Sequence, residues 1–184
     1  MLFDRRQIYP LKPARMHEVC GPSALSFAVV HAANMSGTAL WVKERWCPEQ
    51  LNPIGLVDIL CPENLITAST KNQTETLAVA EEALRSGAAS LVVMELNAAL
   101  DLIAGRRLQL AAKTGSAMGI AVISDGMGSN AAETRWRCSP IFDPKDSTLQ
   151  RWELIKNKSG TLGVWNVRWS ASSRRINVVS ETGK

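Results

Sequence analysis

The feature that most constrains the fold of this chain is the run Leu91-Val92-Val93-Met94, together with what flanks it. The run is short and apolar without alternation. That is the pattern of a strand buried on both faces, as in a parallel sheet covered by helices. Before it, Leu77, Ala80, Glu81 and Leu84 recur at helical spacing, with Ala78 and Ala83 filling in, and Ser86-Gly87 follows. Glycine there predicts the end of a helix, because it takes the left-handed conformation at little cost. After the run comes Glu95, an acid at the carboxyl end of the strand. In open α/β sheets ligands bind at those ends. The stretch Thr76–Leu100 therefore predicts an α/β fold and the edge on which a site would lie.

The rest of the chain extends this pattern. Met1 to Met16 is polar and broken by Pro10 and Pro13, and reads as an N-terminal arm, residues 1–16. His17-Glu18-Val19-Cys20 reads as a short strand ending at Gly21-Pro22, and Ser23 opens a helix, ALSFAVVHAANM, apolar almost all round and hence mostly buried. Ala39–Val42, Asn64–Thr67 and Ile120–Ile123 are further strands, and Arg106 to Thr114 a helix ended by Gly115. Lys43 to Val57 is loop, with or without a short helix. From Thr134 the pattern changes to alternation, in Thr134–Cys138, Arg151–Ile155 and Val164–Trp169. Alternation predicts antiparallel strands with one solvated face. Lys156-Asn157-Lys158-Ser159-Gly160 reads as a tight polar turn between two of them, and residues 180–184 as a frayed tail. The expectation is one α/β domain over 17–179, with a mostly parallel sheet extended by C-terminal antiparallel strands.

Composition narrows the function classes. A chain of 184 residues buries roughly 70% of its unfolded surface and needs no staples. A net charge of +4 is mildly basic and suits either nucleic acid or an acidic partner. The four cysteines, Cys20, Cys47, Cys61 and Cys138, show no CxxC spacing, and only His17 and His31 could join a metal site. Reduced thiols in a cytoplasmic protein, no metal and no cofactor are expected. The N-terminal residues lack an apolar signal-peptide core, and no apolar run approaches a membrane span. Core packing accounts for the six tryptophans.

The order strand, Gly-Pro turn, helix, then a later strand ending in an acid is the layout of a P-loop nucleotide-binding domain. In a working P-loop, backbone N–H groups cradle phosphates, Lys neutralises them and Ser/Thr holds magnesium. Here the loop reads Gly21-Pro22-Ser23-Ala24-Leu25-Ser26-Phe27, with no second Gly, no Lys and no Thr. Nucleotide chemistry is therefore not expected, and the region reads as a degenerate P-loop.

More specifically, the chain resembles a shrunken bacterial RecA core from His17 to about Val179. The resemblance rests on Glu82–Ala88, on Leu91–Met94 followed by Glu95, on Asn97–Leu100 and on Ile155–Lys158. Within that superfamily, His17-Glu18-Val19, Ala39–Val42, Ala80–Gly87, Arg106–Ala112 and Thr134-Arg135-Trp136-Arg137 are similar to the ImuA family, RecA-like and SulA-related. The resemblance implies Glu95 at the magnesium-acid position. It places Arg45, with Glu44 beside it, where RecA has its water-activating glutamate, and Asp125 where RecA has its phosphate-sensing glutamine. It implies DNA-binding loops shrunk to Asp101–Gly105 and Asp125–Ala132, and hence weak or no direct DNA binding. It matches Lys156 and Lys158 to lysines that reach a neighbour's ATP across a filament interface.

The function so implied is a non-enzymatic adaptor in damage-induced (SOS), error-prone translesion DNA synthesis. Its partners would be an ImuB-like protein and an error-prone polymerase, with a RecA filament as a further candidate, and it would be cytoplasmic and nucleoid-associated when recruited. A SulA-type division inhibitor and a weak DNA-binding module are the alternatives. The second draws on ten basic residues against five acidic ones from Glu133 onward. Lys156 and Lys158 read either as a solvated turn or as a basic protrusion for a partner. Arg106 and Arg107, at a helix start where cations are disfavoured, and Arg135 and Arg137 complete the candidate partner or phosphate contacts.

Overall fold

The computed structural model describes residues 11–181. In chain order the elements are β1 (Met16–Cys20), α1 (Ala24–Asn34), β2 (Ala39–Glu44), the single-turn helix α2 (Pro53–Leu56), β3 (Leu65–Thr70), α3 (Gln73–Ser86), β4 (Leu91–Glu95) and α4 (Leu102–Thr114), followed by β5 (Met118–Val122), β6 (Thr134–Pro140), β7 (Gln150–Asn157), β8 (Gly163–Ser170) and β9 (Arg175–Glu181). All strands join one nine-stranded sheet in the order β3-β2-β4-β5-β1-β6-β7-β8-β9. From β3 to β6 the strands are parallel, and β7, β8 and β9 continue the sheet antiparallel.

Two cores flank the sheet. On one face α1 packs Phe27 and Val30 against Trp41, Val93, Ile120 and the tryptophans of β6 and β7. On the other, α3 and α4 bury Leu84 and Leu108 against Val42, Val92, Met94 and Ala121. The strand β4 supplies both: Val93 points one way and Val92 and Met94 the other. This double burial is why its sequence does not alternate.

Local chemistry sets the helix ends. Asn72 caps α3 by accepting the Glu75 N–H, and Gly87 closes it in the left-handed region at φ 67°. The helix expected from Arg106 starts a turn earlier, because Asp101 accepts the Ala104 N–H at 2.7 Å. Leu102–Gly105 is thus the first turn of α4 and not a loop. Gly105 belongs inside the helix because a Cβ there would stand 2.7 Å from Ser129 Oγ and 2.8 Å from the Ala131 methyl. Arg106 and Arg107 consequently sit in the second turn, away from the positive end of the helix dipole.

Other boundaries move as well. Met16 belongs to β1, and Leu11 packs against the core, so the expected arm is anchored from residue 11; residues 1–10 lie outside the described residues. Lys156 and Asn157 are strand residues of β7, and the bend follows them. The strand β9 goes unnoticed in the sequence and takes in Ser180 and Glu181, which pair with Asn166 and Trp165 instead of fraying. Trp46, expected in the core, is 60% exposed and donates its indole N–H to Glu44. Among the described residues all four cysteines are free, no cluster of His, Cys, Asp and Glu could hold a metal ion, and no helix is long and apolar enough to cross a membrane.

Candidate functional site

The carboxyl edge of the parallel strands is the first place to look for a site. Between β1 and α1 the chain turns in three residues, Gly21-Pro22-Ser23. Gly21 sits at φ 91°, and a Cβ on it would lie 2.5 Å from the Cys138 carbonyl oxygen. The Ser23 N–H donates to that same oxygen at 3.0 Å, and the Ala24 N–H to Gly21 O at 3.0 Å. Two amides at the entry to α1, those of Ser23 and Ala24, are therefore turned onto carbonyls of the chain itself, and the turn is drawn tight against β6. Phe27, one turn further on, is fully buried among His31, Trp136 and Trp152.

The acids on this edge also have donors. Glu95 Oε1 accepts the Trp41 indole N–H at 2.6 Å. Glu44 accepts from Trp46 Nε1 at 2.7 Å and from Asn97 Nδ2 at 3.1 Å. Asp125 accepts from the Cys20 thiol and from the Arg137 guanidinium, both at 3.1 Å. Those hydrogen bonds, Cys20 foremost, hold the Asp125 carboxyl below its usual range. Burial, reinforced by Asp125, pushes the Cys20 thiol up to about 12, which makes it inert as a nucleophile.

The basic candidates separate into four groups. Arg135 is structural: its Nε lies 2.8 Å from Glu18 Oε2, and its Nη2 donates to Ser129 O at 3.0 Å. Lys156 and Lys158 fold back over β6 onto the loop before it. Lys156 Nζ donates to Asn130 O at 3.2 Å and to Ala132 O, and Lys158 Nζ donates to Ala131 O at 2.6 Å. Burial draws the Lys156 ammonium below its ordinary pKa, and neighbouring Lys158 adds to the shift. These lysines are latches on a loop, not a free hairpin tip. Arg137 forms an exposed pair with Asp125, and Arg107 reaches Glu81 at 2.7 Å. Arg106 is exposed, and its side chain has no ion pair or hydrogen bond among the described residues. It lines a groove of about 540 Å³ shared with Arg15, Leu110, Lys113 and Lys158.

No protein-family model matches the chain. Two relatives do, both named Protein ImuA, from Caulobacter vibrioides strains NA1000 / CB15N and ATCC 19089 / CIP 103742 / CB 15. Each is 31% identical over 148 residues, covering 70% of this chain and 59% of the relative. The chain belongs to the ImuA family. It spans 59% of the length of the ImuA proteins it matches.

In this ImuA family member the residues that sequence reasoning missed are mostly buried polar groups. Glu18, on fully buried β1, accepts the Ser129 N–H at 2.7 Å as well as Arg135. His17 Nδ1 lies 2.7 Å from Thr134 Oγ1, and its Nε2 lies 3.0 Å from Lys12 O. Burial pushes His17 down to about 4, so the ring is neutral, with Nε2–H donating to the carbonyl and Nδ1 accepting the threonine hydroxyl. One signal was available: an acid and a histidine inside a short strand flanked by apolar residues must have partners. Also missed was an exposed apolar set on α4, Leu102, Ile103 and Leu110.

Proposed function

We propose that this chain is a non-catalytic, RecA-like accessory protein that acts through protein partners in damage-induced, error-prone translesion DNA synthesis. Membership of the ImuA family supports the pathway. The observation that carries the non-catalytic part is the Ser23 N–H bound to Cys138 O at 3.0 Å in a three-residue turn that holds no lysine. A phosphate cradle needs several free backbone N–H groups and a cation at that place; here the Ser23 and Ala24 amides are spent on the chain's own carbonyls and the turn carries no cation, which supports a degenerate P-loop. Glu95, at the magnesium-acid position by resemblance, is engaged by Trp41. The partners on this reading are an ImuB-like protein and the error-prone polymerase it serves, with RecA filaments to be tried beside them. A DNA-binding module is the weaker reading, because Arg135, Lys156 and Lys158 spend their donors inside the molecule.

Two measurements test the proposal. Titration calorimetry with Mg-ATP should give no binding heat; a micromolar Kd would overturn the non-catalytic reading. Deleting the gene in its host should lower mutation frequency after DNA damage, and the wild-type chain should restore it. Unchanged mutagenesis in the deletion strain would remove the pathway assignment.

A further inference from the structure

We propose that the outward face of α4 and the groove beside it dock an acidic amphipathic helix of a protein partner. The inference rests on the adaptor reading and names its contact surface. Ile103 is 74% exposed, Leu110 65% and Leu102 44%. A surface helix of a folded domain ordinarily turns such residues inward, and a contiguous exposed apolar set marks an interaction site. The inner side of α4 is already filled by Gly105, Leu108, Ala111 and Ala112, so these three have no place in the core.

The charges around them have one sign. Leu102, Arg106, Leu110 and Lys113 form one wall of the groove, and Arg15 and Lys158 stand across it. The lining carries four cations against one acid, Glu133, and Glu133 is already held by Lys12 at 2.8 Å and Arg15 at 3.9 Å. The Arg106 and Lys113 side chains have no ion pair or hydrogen bond among the described residues. On the opposite flank Arg107 is neutralised by Glu81, so the unbalanced charge lies on the groove side. An occupant must therefore present carboxylates and aliphatic side chains together.

The shape fits a helix. The 13 residues of α4 make a wall roughly 20 Å long, the length over which i, i+4 and i+7 anchors of a partner helix meet a groove. The groove lining holds no aromatic ring, and single-stranded nucleic acid binds on aromatic platforms. That favours the peptide over the oligonucleotide.

The probe is a fluorescein-labelled synthetic helix with Leu at i, i+3, i+4 and i+7 and Glu elsewhere, followed by anisotropy on the full chain. Wild type should bind it and ignore the same peptide with Lys replacing Glu. Ile103→Asp with Leu110→Asp, and separately Arg106→Glu with Lys113→Glu, should each weaken binding about tenfold or more. Ile54→Asp, on another exposed apolar residue (83%), should bind as wild type does. All these side chains are exposed, so thermal melts should stay near wild type; if the Asp pair unfolds, Ile103→Ser with Leu110→Ser replaces it. No binding of the Glu peptide overturns the proposal. So does binding that survives loss of Ile103 and Leu110, or a charge-reversal effect seen equally with single-stranded DNA. A chain that supports mutagenesis yet ignores the peptide overturns this surface and leaves the adaptor reading standing.

Discussion

Arg135 on β6 lies against Glu18 on β1, with Nε 2.8 Å from Oε2 and only 2% of the Glu18 side chain exposed. The guanidinium also fills the space a side chain at Gly128 would need, a Cβ there lying 1.9 Å from Arg135 Cζ. One ion pair thus joins two central strands and the loop between β5 and β6. Arg135→Ala leaves Glu18 with the Ser129 N–H as its remaining donor. It should destabilise the fold by about 3 kcal/mol, since breaking a buried pair strands a charge. Urea denaturation reads the loss, and Glu18→Gln in the same chain should recover part of it.

Acid should unfold the protein before its carboxylates titrate. Burial lowers both His17 and His31 from 6.5 to about 4. Their stabilising contribution is complete above the unfolded value. As pH falls below 6.5 the unfolded chain takes up protons that the folded one refuses, so stability drops until the folded value near 4 is reached. The loss is roughly 2 kcal/mol per histidine near pH 5. Denaturation midpoints measured across this range should fall steadily. A flat profile above pH 5 would show that the histidines are not neutral in the fold.

Gly21→Ala and Gly126→Ala separate backbone strain from collision. Both glycines have positive φ, 91° and 83°. At Gly126 nothing lies within 4 Å of an added Cβ, whereas at Gly21 the Cys138 carbonyl oxygen is 2.5 Å away. Gly126→Ala should cost about 1 kcal/mol and Gly21→Ala at least about 2 kcal/mol. Paired melting curves decide it; equal losses would mean that the turn can move off β6.

Lys156→Ala should lower stability by about 1 kcal/mol, because the ammonium binds the Asn130 and Ala132 carbonyls from a partly buried position. Arg137→Ala, which removes an exposed pair with Asp125, should change stability by less than about 0.5 kcal/mol. Differential scanning calorimetry of the two variants gives the order. A neutral Lys156→Ala would return that lysine to the surface role its sequence suggests.

Much of the fold was legible because the strongest signals were local. The unalternating run of β4, the glycine after α3 and the alternation around Trp136, Trp152 and Trp165 each name an element without reference to the rest. What escaped depends on distant residues. Gly105 reads as the end of a loop until Ser129 and Ala131 are seen packed on it. Lys156 and Lys158 read as a free turn until the carbonyls of 130–132, about 26 residues earlier, are placed beneath them. Of the predicted basic contacts, Arg106 remains open to a partner; of the apolar residues beside it, Leu102 and Ile103 read as loop and Leu110 as helix. The strand β9 hid because Arg174 and Arg175 interrupt its approach and its outer positions are exposed.

The placement of β1 has a consequence for how the chain finds its fold. Its neighbours are β5 and β6, so His17 pairs with Ile120 on one side and Thr134 on the other. Both edges of the innermost strand wait for segments synthesised more than 100 residues later. At roughly 5–20 residues per second, β1 stays unpaired for several seconds as the chain emerges. Closing such long loops is slow, and an apolar strand with two open edges is vulnerable meanwhile. A buried charge and a buried histidine in that strand make it more soluble while it waits, and both are satisfied only when β6 arrives.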